Sequence, residues 1–154
     1  MKKSVVFVLM VCMTIFLVST VAMAGPAPAL TKVDIHAFTA QSYNYQWQFT
    51  PTSYPKSMSG YSFSGPELYM DVIYTGIPNW NHTFIKVNGI QYKHSQLFDK
   101  QFFITDRGGF VGGYEVVYKI PPTYLGASNT IIVTSSGTNG GAGESIATNI
   151  KFVK

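Results

Sequence analysis

The chain has 154 residues, with eleven Lys and Arg against seven Asp and Glu, and a single cysteine. That length suits one domain with a full core and excludes two. No run of Lys or Arg concentrates the charge, which excludes a nucleic-acid interface, and one cysteine excludes a disulfide framework.

The first predicted element is an export signal over residues 1–24. Lys2 and Lys3 precede the apolar run "SVVFVLMVCMTIFLV", and Ala22-Met23-Ala24 has the small-x-small form that signal peptidases cut after. The run is short for a membrane anchor, which needs about 20 residues, so cleavage before Gly25 is the expectation. Removing 24 of the 154 residues leaves 130 and takes away Lys2, Lys3 and Cys12. Nine positive charges then face seven negative ones, a net +2. Thiol chemistry and cysteine-ligated metals are excluded from such a mature chain. Export without disulfides fits a secreted bacterial protein, extracellular or periplasmic according to the envelope.

Residues 25–29 read as a flexible Pro/Ala lead-in and residues 30–154 as one domain. In "LTKVDIHAF", Thr31, Val33, Ile35 and Ala37 alternate with Lys32, Asp34 and His36. "YNYQWQF" places Tyr43, Tyr45, Trp47 and Phe49 on alternate positions. As a strand it would turn its rings inward, with Tyr43 and Tyr45 near the rim, because the opposite orientation would bury three amides. "TPTSYPKSMSG" is turn-rich, and "ELYMDVIYTG" puts Leu68, Met70, Val72 and Tyr74 on one face. "GIPNWN" reads as a loop. "HTFIKVNGIQYKH" reads as a hairpin turning at Asn88-Gly89, and "KQFFIT", "DRGG" and "YEVVYKI" as a second hairpin. Pro121 and Pro122 break the next strand. "NTIIVTSS", the glycine-rich "GTNGGAGES" and "IATNIKFVK" complete the chain.

Apolar spacing of two nearly throughout, with no amphipathic helix, predicts an all-β antiparallel sandwich of about eight to ten short strands. "YKIPPTYLGASNTIIV" is similar to a pattern common in immunoglobulin-like sandwiches: strand, proline break, Leu-x-Gly turn, Asn-led strand. "PALTKVDIHAF", "VIYTG", "KVNG" and "FVGGYEVVYK", in that order, resemble segments of the small secreted bacterial proteins of the YolA type. That resemblance spans most of the domain and implies a small exported β protein. It transfers no catalytic residue.

Catalytic chemistry is thinly supplied. His36, His82 and His94 do not have zinc-motif spacing, and no G-x-S-x-G or phosphate-binding loop appears. No cofactor or metal site is expected. Two carboxylates could serve a glycosidase, but Asp71 and Glu115 fall on the polar sides of strands, where a solvated charge is the ordinary reading. "NHT" at Asn81 has the form of a glycosylation acceptor and reads as coincidence in a bacterial protein.

Aromatic residues are in excess, with ten Tyr, eleven Phe and two Trp. Phe84, Phe152 and at least one of Phe102 and Phe103 are assigned to packing. Ten tyrosines indicate rings at the boundary of core and water. Trp80, in a proline-containing loop and flanked by Asn79, Asn81 and His82, is the first candidate for binding, followed by Tyr54 and Tyr124. The competing reading has Trp80 folding back to cap the sandwich. The expected function is a secreted, non-catalytic interaction module for a cell-wall or extracellular polysaccharide, or a surface partner. Alternatives are a small membrane-acting, toxin-like protein and an inhibitor of a secreted enzyme.

Overall fold

A computed structural model describes residues 26–154; the expected export signal lies outside the described residues. Eleven strands among the described residues form two sheets packed face to face. The first sheet has the order β2 (Gln48–Phe49), β1 (Lys32–Ala40), β5 (Leu68–Thr75), β9 (Val111–Ile120), β8 (Phe98–Thr105). The second runs β3 (Lys56–Ser57), β11 (Ala142–Val153), β10 (Ser128–Gly137), β6 (Pro78–Val87), β7 (Ile90–Lys93), with β4 (Ser62–Ser64) also on β11. Taken as A, B, C, C′, D, E, F and G, strands β1, β5, β6, β7, β8, β9, β10 and β11 make the A-B-E-D and G-F-C-C′ sheets of an immunoglobulin-like sandwich. The strands beyond the expected number are the two- and three-residue pieces β2, β3 and β4.

Period-two patterning builds the core. Leu68, Met70, Val72 and Tyr74 of β5 are all fully buried and meet Ile85, Ile131 and Val133 of the second sheet in one cluster. Tyr74 and Tyr118 place their hydroxyls 2.6 Å apart inside that core, so each polar tip is satisfied where water is absent. The β6–β7 hairpin turns at Asn88 and Gly89, both at positive φ (51° and 86°), as a two-residue type I′ turn requires. Buried Asn129, which leads β10, has all four amide valences filled. It donates to the Gly126 and Ile150 carbonyls and accepts from the Gly126 N–H and the Asn88 amide.

Three expectations change. His36 forms a bulge: Ile35 pairs with Val72, but Ala37 pairs with Asp71. Alternation therefore slips by one, and Ala37 moves to the outer face, leaving Phe38 and Ala40 to continue the core. "GIPNWN" is not a free loop, since β6 begins at Pro78. Thr83 pairs with Ser135 and Pro78 with Gly137, so Asn79, Trp80, Asn81 and His82 bulge opposite Ser136 alone. The lead-in is tied down: Asn139 donates to the Ala27 carbonyl, Ile77 to Pro28, and Leu30 itself donates to Gly140.

Candidate functional site

The segment "YNYQWQF" is not one continuous strand, since only Gln48–Phe49 pair, as β2, and its rings do not share a core face. Beyond β1, Gln41–Tyr43 form a 3-10 turn, and Asn44 and Tyr45 follow at φ 50° and 60°. Two consecutive left-handed residues reverse the chain and cancel the alternation on which an aromatic ladder depends. The chain then returns along β1, held where Thr39 donates its hydroxyl to the Gln46 carbonyl. Tyr43 packs against Tyr61 and Phe63 at the core edge. Tyr45, Trp47 and Phe49 are delivered to the outer face of the first sheet. A tyrosine held at positive φ is a strained backbone, a condition that concentrates at ligand sites.

That outer face is set by register. One row runs Phe49, Ala37, Asp71, Val117, Lys100; its neighbours run Thr39, Tyr69, Lys119 and Asp34, Ile73, Glu115, Phe102. Above the Thr39–Tyr69 side opens a pocket of about 290 Å³ lined by Thr39, Tyr45, Trp47, Tyr69, Asp99, Lys100 and Val117. Tyr45 and Tyr69 meet edge to face at 6.0 Å. Tyr69 is clamped: its hydroxyl donates to Glu67 at 2.7 Å, and the other Glu67 oxygen accepts from Lys119 at 2.6 Å. The Glu67 bond pushes the Tyr69 phenol up to about 12, so it remains a neutral donor.

Asp71 lies at the centre of this face, beside pocket residues Val117 and Tyr69. It is 4 % exposed, and its Oδ1 has no hydrogen-bond partner. Burial, then the charge of Glu115 diagonally across the ladder, pushes its carboxyl up to about 7, with a smaller contribution from Asp34. The expectation of a solvated surface charge is thus overturned. The outward residues Tyr69, Asp71 and Ile73 hold the signal: an acid between Tyr and Ile marks an outer face that is itself covered. Each half of the site has a role a binding surface needs. The rings offer flat apolar walls, and Asp99 and Lys100 offer hydrogen-bonding groups of both kinds.

The other expected site residues do not converge. Trp80 is half-buried, stacked on His94 at 4.4 Å and edge-on to Tyr74 and Tyr114 at 5.5 and 5.4 Å. His94 reaches Tyr118 Oη at 3.0 Å, and burial holds its imidazole below the usual histidine range. This is the capping arrangement, on the strand where immunoglobulin domains carry their buried Trp. Asn79 Oδ1 accepts the Asn81 N–H, and its amide nitrogen stands 3.5 Å from His82 Nδ1, closing the bulge on itself. Tyr124 stacks on Tyr92 at 4.4 Å, a contact separate from the Trp80–His94 stack. Exposed Tyr54 lines a second, polar cleft of about 470 Å³ with Asp34, His36, Thr50, Lys56 and Glu144. Lys56 there is already committed to Asp34, the Ile35 carbonyl and Thr50. Phe152 is buried as expected and Phe84 half-buried, but Phe102 and Phe103 are both exposed.

Among the described residues there is no group of three or more His, Cys, Asp or Glu placed to hold a metal ion. No helix of the described residues is long and apolar enough to cross a membrane. Neither curated proteins nor solved structures yield a match to the chain. A family model matches residues 25–152, the whole of the sandwich but its last two residues, and by that match the chain belongs to the family described as Domain of unknown function (DUF4879).

Proposed function

We propose that this protein is an exported binding module that holds a polysaccharide of the cell wall or its surroundings on the outer face of the first sheet. The observation that carries the reading is the pocket walled by Tyr45, Trp47 and Tyr69, with Thr39, Asp99 and Lys100 at its sides. Sugar rings present apolar faces to aromatic walls and hydroxyls to polar rims, and this pocket pairs the two within about 290 Å³. The Glu67 clamp fixes Tyr69 before any ligand arrives, which lowers the ordering cost of binding. Rings on the sheet face therefore replace the loop residue Trp80 as the principal contacts.

Co-sedimentation of the chain from Gly25 with purified cell walls tests this reading. Saturable binding is expected, competed by soluble wall glycan and weakened at least about tenfold by Trp47→Ala, as for a central aromatic anchor. Wild-type protein that stays in the supernatant would overturn the reading. A Trp47→Ala variant that binds as well as wild type would remove this pocket from it.

A further inference from the structure

The β8–β9 hairpin carries an apolar surface that the pocket does not use. Five of the eleven large exposed apolar side chains lie on it: Phe98, Phe102, Phe103, Ile104 and Phe110. The hairpin also outruns its sheet. β5 ends at Thr75 opposite Gly113, and beyond that point β9 keeps only β8 as a strand neighbour. The projecting end holds Phe110, 69 % exposed, and Arg107 at the turn; Ile104 stands at its base opposite Gly113, and Phe103, 65 % exposed, one pair further in opposite Tyr114. Gly108, Gly109, Gly112 and Gly113 supply no side chains to cover these groups.

We propose that this finger docks on a lipid bilayer, seating Phe103, Ile104 and Phe110 at the headgroup–acyl boundary and Arg107 among anionic headgroups. Three observations select a bilayer over other occupants. First, the turn bonds four of its own N–H groups: Asp106 donates to the Phe110 carbonyl, Gly109 to the Asp106 carbonyl, and Asp106 Oδ1 accepts the N–H groups of Gly108 and Phe110. Each donor met within the tip lowers the cost of leaving water. Second, Asp106 spends Oδ1 on the turn, while Arg107 forms no ion pair among the described residues. The exposed guanidinium is therefore free to meet an anionic headgroup. Third, the strand edge is poorly suited to pairing with a second copy. Register shifts interrupt β8 at Phe98/Lys100 and at Ile104/Thr105, and Lys100 stands on the edge. Bulges and an edge lysine are the features that oppose strand addition.

The test is sedimentation of the chain from Gly25 with vesicles of phosphatidylcholine and phosphatidylglycerol in equal parts, beside vesicles of phosphatidylcholine alone. The anionic vesicles are expected to carry the protein down, the neutral ones far less. Phe103→Ser combined with Phe110→Ser should lower the apparent affinity about tenfold or more, and Arg107→Gln about fivefold. All three positions are exposed, so unfolding midpoints should match wild type; Arg107→Gln still decides the matter if the double variant is destabilised. Protein that stays in solution with both vesicles, or a double variant that sediments like wild type, overturns the proposal. So does a concentration-dependent dimer abolished by the double variant, because the finger would then be a contact between copies. Wall binding through Trp47 is measured separately and can fail or succeed without changing this outcome.

Discussion

Asp71→Asn is expected to stabilise the protein at pH 8 by about 3 kcal/mol relative to its effect at pH 4. Burial and then the neighbouring Glu115 push the folded-state carboxyl up to about 7, against 3.8 in an open chain. The folded state therefore keeps a proton that the unfolded state releases. The stability contributed by Asp71 is full below about pH 3.8 and is lost as pH rises through about 7. Each unit of difference is worth about 1.4 kcal/mol, so a span of about three units sets the scale. Above pH 7 the wild type holds an ionised carboxylate that is 4 % exposed, with one oxygen unpartnered. Asparagine is neutral at every pH and carries no such charge. Urea unfolding of both proteins at the two pH values measures the difference. Equal effects at pH 4 and pH 8 would mean that Asp71 is solvated in the folded protein.

Trp80→Ala is expected to cost about 3 kcal/mol of stability, measured as the shift in urea unfolding at constant m-value. The indole fills the gap between the sheets at the start of β6, against Tyr74, Tyr114 and His94. Truncating a large packed ring costs about 3–5 kcal/mol when the site is fully enclosed, and a half-buried ring falls at the lower end. The loss also uncovers His94. Its imidazole, now held neutral by burial, should titrate closer to the ordinary histidine range in the variant, a shift that NMR can follow. A loss below about 1 kcal/mol would show that the indole is a surface group, open to a ligand after all.

The fold was legible where residues of one kind recur at one period. Leu68, Met70, Val72 and Tyr74 declare a buried strand face by type and spacing alone, and Asn88-Gly89 declares its turn through tolerance of positive φ. The pattern from Pro121 to Asn129 likewise marked the crossing between sheets, and Asn129 proves to be its fully bonded hinge. The site was less legible, because backbone conformation decides it. Alternate rings in "YNYQWQF" promise one face only if the chain stays extended, and nothing in Tyr45 announces a left-handed residue. The His36 bulge is similarly silent in the sequence, yet it moves Ala37 out of the core and opposite Asp71. Hydrophobicity assigns at least one of Phe102 and Phe103 to packing, yet both are exposed. The cause is that β8 is an edge strand, a relation that exists only between segments distant in the chain.

The short strands β3 and β4 run parallel to β11, pairing Lys56 and Ser57 with Ala147 and Thr148, and Ser62 to Ser64 with Lys151 to Val153. Tension applied along the chain reaches one partner from its amino-terminal side and the other from its carboxyl-terminal side. Parallel strands pulled in that sense slide past each other, so their hydrogen bonds share the load instead of parting one by one. A pull on β11 from its carboxyl end against β4 held from its amino end would load these bonds in shear, with the buried Phe63 and Phe152 side chains resisting the slip beneath.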